Sequence, residues 1–248
     1  MRASENIKID IIGRGNVAVH LRQAFDNVGF DADIVNPHTL DTLRIDADII
    51  IISVSDNAIK EVAKRIPWDT QAIVAHTSGT TGIEVFENAG YRHGVFYPLQ
   101  TFTKHVPLRY DVIPIYVEGC DEETENRLAR LAGVISRNVR HADSGKRRAL
   151  HVASVFACNF TNHLWAIAQQ LLESEGMEFG DLEPLVKETV RKAFETGPAK
   201  GQTGPAIRHD SVTIDRHLEM LADRRGLADI YKTLTESIQN HERNKLRP

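Results

Sequence analysis

The first third of the chain alternates short apolar runs with stretches whose apolar side chains recur three and four residues apart. The runs at residues 7–12, 32–35, 48–54 and 72–75 are too short for buried helices and lie among turn-forming or polar residues, so they predict strands. Between them, residues 17–28 and 57–65 carry helical spacing. This βαβ rhythm is that of a parallel sheet. The connection from 36 to 47 has Pro37 near its start, so only a reduced helix is expected there. Further strands at 94–97, 113–117 and 138–140, with a helix over 122–136, complete a doubly wound, mostly parallel, Rossmann-like α/β domain. From about Asp143 the pattern changes. Residues 146–174 hold apolar and small side chains at helical spacing without glycine or proline, and helical runs follow at 182–196, 210–223 and 227–241. The expected organisation is an α/β domain over 1–142 and an all-α domain over 143–248.

The first strand runs into Gly13, Arg14, Gly15, Asn16, Val17 and Ala18, a GxGxxA turn placed after a strand and before an amphipathic helix. Gly13 permits the tight turn, Gly15 lets a pyrophosphate approach the backbone, and Ala18 lets the helix pack close to the strand. That helix would aim its free amides at the phosphates. A dinucleotide site is therefore expected. At the end of the second strand, where a carboxylate would hold a ribose 2′-hydroxyl, Asn36 stands instead, and Arg14 offers positive charge. NADP is expected ahead of NAD. The ends of the third and fourth strands, with Ser53, Val54 and Ser55 and with His76, Thr77 and Ser78, should border the same crevice. Ser55 and Asp56 also read as a helix cap.

Length and charge narrow the partners. A chain of 248 residues can hold two ordinary domains, and a net charge of −4 with a pI near 6.3 gives no reason to expect nucleic acid. No apolar run is long enough to span a bilayer. Two cysteines, Cys120 and Cys158, provide no disulfide framework, which fits a reducing cytoplasm. Eleven histidines give no HExxH and no close ligand pair, so no catalytic metal is expected.

Six segments carry a resemblance over nearly the whole chain: GRGNVA from Gly13, ISVSDNAI from Ile52, HTSG from His76, FYPLQTF from Phe96, LHVASVFACNFTNH from Leu150 and QTGPAIRHD from Gln202. In these the chain resembles bacterial Rossmann-like NADP oxidoreductases with a C-terminal helical domain of unknown function. The architecture is similar to that of ketopantoate reductase, 6-phosphogluconate dehydrogenase and pyrroline-carboxylate reductase. The resemblance implies a helical domain that closes over the nicotinamide and builds a homodimer.

On the long helix, His151, Cys158, Asn159 and Asn162 share one face when each residue turns about 100°. A polar face on an apolar, alanine-rich helix needs partners or a ligand. Related reductases use a lysine and asparagines on the equivalent helix; this face has no lysine. His151 is then the candidate acid, because an imidazole titrates near neutrality, with Asn159 and Asn162 orienting the substrate. Cys158, among Phe156, Ala157 and Phe160, reads as packed rather than nucleophilic. Lys146, Arg147 and Arg148 offer cations for an anionic substrate. Gln100 and Thr101 after a strand, and Gln202, Thr203 and Arg208 in an interhelical loop, are expected on the substrate side.

These readings predict an NADP-dependent oxidoreductase that moves hydride to or from a small, anionic carbonyl, imine or hydroxyl compound, with a ketopantoate-reductase-like reaction as first guess. The rival is an NADP-binding sensor or partner-binding module without redox turnover.

Overall fold

The structure, a computed structural model, describes residues 7–245. The chain divides into two compact units, one ending at Asn159 and the other beginning at Phe160.

The first unit is built on seven strands: β1 (Lys8–Ile12), β2 (Asp31–Val35), β3 (Ile49–Ile52), β4 (Ile73–His76), β5 (His93–Pro98), β6 (Ile115–Gly119) and β7 (Val139–His141). They lie in the order β2-β1-β3-β4-β5-β6-β7, all pairs parallel except β5 with β6. Along β3 successive isoleucines alternate between the two faces. Ile49 and Ile51 join a core with Phe25, Phe96 and Leu128, and Ile50 and Ile52 join a second with Ile59, Val62 and Phe86. A strand covered on both faces reads as an unbroken apolar run for this reason. Helices α1 (Asn16–Asp26) and α3 (Glu122–Ile135) cover the first face, and α2 (Asp56–Ala63) covers the second.

The reduced helix expected after Asn36 does not form; residues 36–47 are turns. Arg44 supplies the reason. Its guanidinium donates to Asp10 at 2.6 Å and to the carbonyls of Ile9 and Asp31, and its amide donates to Asp10 at 2.6 Å. The loop is thus tied to β1 and β2, its polar groups satisfied without helical bonds.

Helix α4 (Ser144–Ser154) belongs to the first unit, so this unit runs past the boundary expected at 142. What binds α4 there is Arg147, whose side chain is 1 % exposed. It pairs with Glu118 on β6 and donates to the carbonyls of Ser78 at 3.2 Å and Thr81 at 2.6 Å. The basic run at 146–148 therefore supplies no free cation of three charges: Arg147 is committed, Lys146 pairs with Asp143 and Arg148 with Glu84.

The expected continuous helix over 146–174 is interrupted. Residues Val155–Phe160 form a π-turn, and α5 (Thr161–Glu173) follows in the second unit. A π-turn bonds each amide one residue further back than an α-turn, so the 100° count does not carry across it. Its side chains are also less covered than the sequence suggested. Cys158, expected to be packed, is exposed.

The second unit holds α5, α6 (Glu183–Thr196), α7 (Ser211–Met220) and α8 (Arg225–Lys245). No helix among the described residues is long and apolar enough to cross a membrane.

Candidate functional site

The strand order reverses at β1, which has β2 on one side and β3 on the other. Ligands in doubly wound sheets bind beyond the carboxyl ends of the strands at such a switch point. A cleft of about 710 Å³ lies there, built wholly from the first unit. Four loops and α4 wall it.

The first wall is the glycine turn. Gly13 has φ +146°, and a Cβ there would lie 2.0 Å from the Ser53 carbonyl oxygen, so only glycine brings β1 this close to β3. Gly13 shapes the turn from beneath, while Arg14, Gly15, Asn16 and Val17 line the cleft. A Cβ on Gly15 would meet nothing within 4 Å. Gly15 is also the N-cap of α1, with no side-chain cap and no acidic residue in the first turn. No side chain caps the amides that open α1, an arrangement that suits a pyrophosphate.

Ser53, Val54, Ser55 and Asp56 form the second wall. The Ser55 side chain makes no cap bond, so its hydroxyl is left to the cleft. Asp56 instead accepts a hydrogen bond from Thr80. Thr77, Ser78 and Gly79 follow β4 as the third wall. Pro98 and Gln100 to Phe102 make the fourth, pinned where the Asn16 side chain donates to the Phe102 carbonyl and His20 to the Thr103 carbonyl, both at 2.9 Å. Gln100 and Thr101 line the cleft from this loop.

Two residues expected at the cofactor lie elsewhere. The His76 ring is fully buried against Phe86, and its Nδ1 accepts the Ser78 amide at 3.2 Å. Its Nε2 makes no well-formed hydrogen bond, only a weak approach to the Gly82 backbone. Burial, helped by the positive Arg147, lowers its pKa to about 4, so the ring is neutral at pH 7. His76 thus shapes the loop that Thr77 and Ser78 present. Asn36 does not line the cleft either, and uses its side chain to accept the His38 amide at 3.1 Å. Its neighbour Pro37 reaches the wall in its place.

From α4 and the π-turn, His151 and Asn159 line the same cleft. Tyr97 joins them from β5, its hydroxyl 3.1 Å from His151 Nδ1. Tyr97 and Gly79 fall within the FYPLQTF and HTSG segments, but neither was singled out as a site residue from the sequence. Asn162, Gln202, Thr203 and Arg208 belong to the second unit, Asn162 on α5 and the others in the segment before α7.

Residues 113–238 match the family model described as Domain of unknown function (DUF2520). A Bacteroides fragilis protein provisionally assigned as an NADP oxidoreductase is 33% identical, with 95% of this chain and 98% of that one aligned at a TM-score of 0.85. The chain belongs to the DUF2520 family. The DUF2520 match takes in Glu118, Arg147, His151 and Asn159 but not the glycine turn, so it covers the catalytic candidates and leaves the dinucleotide loop outside. Two more distant likenesses concern the fold. An imine reductase from Myxococcus stipitatus in complex with NADP+ is 16% identical, TM-score 0.65, with 94% of each chain covered. A reductive aminase from Aspergillus terreus in complex with NADPH and ethyl levulinate is 14% identical, TM-score 0.73, with 97% of this chain and 95% of that one covered. No curated protein matches the sequence.

Proposed function

We propose that this protein is an NADP-dependent oxidoreductase acting on a small carbonyl or imine compound, or on the corresponding alcohol or amine. The observation that carries the reading is that one cleft holds both a phosphate-accepting helix start at Gly15 and a polar cluster of Tyr97, His151 and Asn159. The descriptions of the Bacteroides, Myxococcus and Aspergillus proteins support the cofactor and the reaction class. NADP, when bound, supplies or takes the hydride; the chain orients the partners and manages the proton. The amides of the glycine turn hold the pyrophosphate, and Arg14, with no carboxylate at the end of β2, accepts a 2′-phosphate. His151 holds the proton, and Asn159, Gln100 and Thr101 offer hydrogen bonds that orient the substrate. An anionic substrate has less support than the sequence suggested, because Arg147 is buried in its own ion pair and the cleft lining carries one basic and one acidic side chain, Arg14 and Asp56.

The test is titration of the purified protein with NADPH and NADH, followed by a panel of 2-oxo acids and imines. NADPH should bind about tenfold or more tightly than NADH, the worth of one charge-assisted contact, and Arg14→Ala should remove the preference. Binding without oxidation of NADPH across the panel would replace the enzyme reading with that of an NADP-responsive sensor. We also infer a homodimer through the helical unit, where Phe194 is 89% and Met220 80% exposed. Light scattering that gives a monomer mass at micromolar concentration would remove that inference.

A further inference from the structure

Three separate elements meet at the His151 ring. Tyr97 stands near the end of β5, α4 carries His151 against it, and Gly79 crosses from the loop after β4. A Cβ on Gly79 would lie 2.6 Å from His151 Nδ1, 2.8 Å from Tyr97 Cζ and 2.9 Å from its hydroxyl oxygen. A larger residue at 79 would force the tyrosine or the imidazole to shift. The contact is therefore built in by the backbone on one side and by two side chains on the other.

Its polarity follows from burial. Tyr97 is 9% exposed, and burial raises the pKa of its hydroxyl, which stays protonated at every pH of interest. Among the described residues, the one hydrogen-bond partner of that hydroxyl is His151 Nδ1, at 3.1 Å. If Nδ1 carried the ring hydrogen, the phenol would accept it, and its own hydrogen would find no protein acceptor among the described residues. The phenol therefore donates and Nδ1 accepts. The ring hydrogen of neutral His151 is left on Nε2.

We propose that Tyr97 is the positioning residue of the site: it fixes His151 as the Nε2–H tautomer and leaves that N–H as a donor in the cleft. The consequence for substrate, which rests on the oxidoreductase reading above, is that the bound compound presents an acceptor atom to Nε2, a carbonyl oxygen or an imine nitrogen. Tyr97 acts through His151 and needs no contact with the substrate.

The tautomer can be read without cofactor or substrate. Long-range proton–nitrogen correlation spectra of the full chain, labelled with nitrogen-15 and recorded near pH 8, distinguish the two neutral tautomers. The His151 signals are assigned by their loss in His151→Gln. The expected pattern for the native chain is Nε2–H. In Tyr97→Phe the nitrogen shifts should move toward the averaged values of a freely solvated imidazole. Gly79→Ala, which keeps the hydroxyl but drives the pair apart, should do the same and serves if Tyr97→Phe does not fold. An Nδ1–H pattern in the native chain overturns the proposal, as does an unchanged pattern in both variants. With an identified substrate, Tyr97→Phe should lower kcat by roughly ten- to a hundredfold through misplacement of His151, leaving the NADPH dissociation constant unaltered. A fall in NADPH affinity with kcat unchanged would also count against it. Failure of the native protein to oxidise NADPH removes the enzyme reading alone, because the tautomer is measured on the unliganded chain.

Discussion

Arg147→Met is expected to destabilise the first unit by about 3–5 kcal/mol, the usual effect of removing one partner from a buried ion pair. The native guanidinium satisfies four acceptors at once: the Glu118 carboxylate, the Ser78 and Thr81 carbonyls, and the Ser144 hydroxyl. Methionine fills much of the volume but donates nothing. Glu118 would keep the Ser144 amide at 3.0 Å and the Ser144 hydroxyl at 2.8 Å, yet lose its counter-charge at a site where its side chain is only 13% exposed. Two loop carbonyls would be left unmet besides. Urea denaturation followed by circular dichroism measures the loss. A cost below about 1 kcal/mol would mean that the pair behaves as a surface salt bridge. The double variant Arg147→Met, Glu118→Gln is the control. By removing the stranded charge it should recover part of the loss, whereas a purely steric effect of methionine would be unaffected by Glu118. The variant also bears on the site, because Arg147 is what ties the Ser78 to Thr81 loop and the helix bearing His151 to the same strand.

The same residue shows where the sequence stops being readable. In the sequence Arg147 is the middle of a basic triplet, and such runs are usually solvated. Its burial depends on Glu118, which lies 29 residues earlier on β6, and on loop carbonyls more than 60 residues away. Nothing local marks that pairing. The strands, by contrast, were legible because covering the sheet on both faces leaves short apolar runs punctuated by turn residues. The glycine turn was legible because its spacing has a local steric cause, seen in the approach of Gly13 to the Ser53 carbonyl. His151 stood out as a polar residue on an apolar helix. Its partner did not, since Tyr97 and Gly79 reach it only through the β4-β5 adjacency of the finished sheet. The π-turn at Val155–Phe160 also left no trace, as its residues include neither glycine nor proline. Asn162 lies beyond it, on α5 in the second unit.

His151→Ala should reduce kcat on an identified substrate by about 10²–10⁴, the range for loss of a general acid or base, or roughly 3–5 kcal/mol in the barrier. NADPH affinity should change little, because the residues that suit the phosphates lie on the glycine turn and the loop after β3, not on α4. Stability should also change little: His151 is half-buried, and among the described residues its ring hydrogen-bonds only to Tyr97. This separates the variant from Arg147→Met, which should lose both fold stability and turnover. The alanine leaves space beside Tyr97 where the ring stood, so added imidazole should restore part of the lost rate by placing a free ring against the same hydroxyl. Rescue that depends on Tyr97, and fails in the His151→Ala, Tyr97→Phe double variant, would tie the proton to this pair. Turnover of His151→Ala equal to that of the native chain would remove His151 as the proton donor. Asn159 would then be left to orient the substrate, and the proton would have to come from water reaching a cleft open enough to admit it.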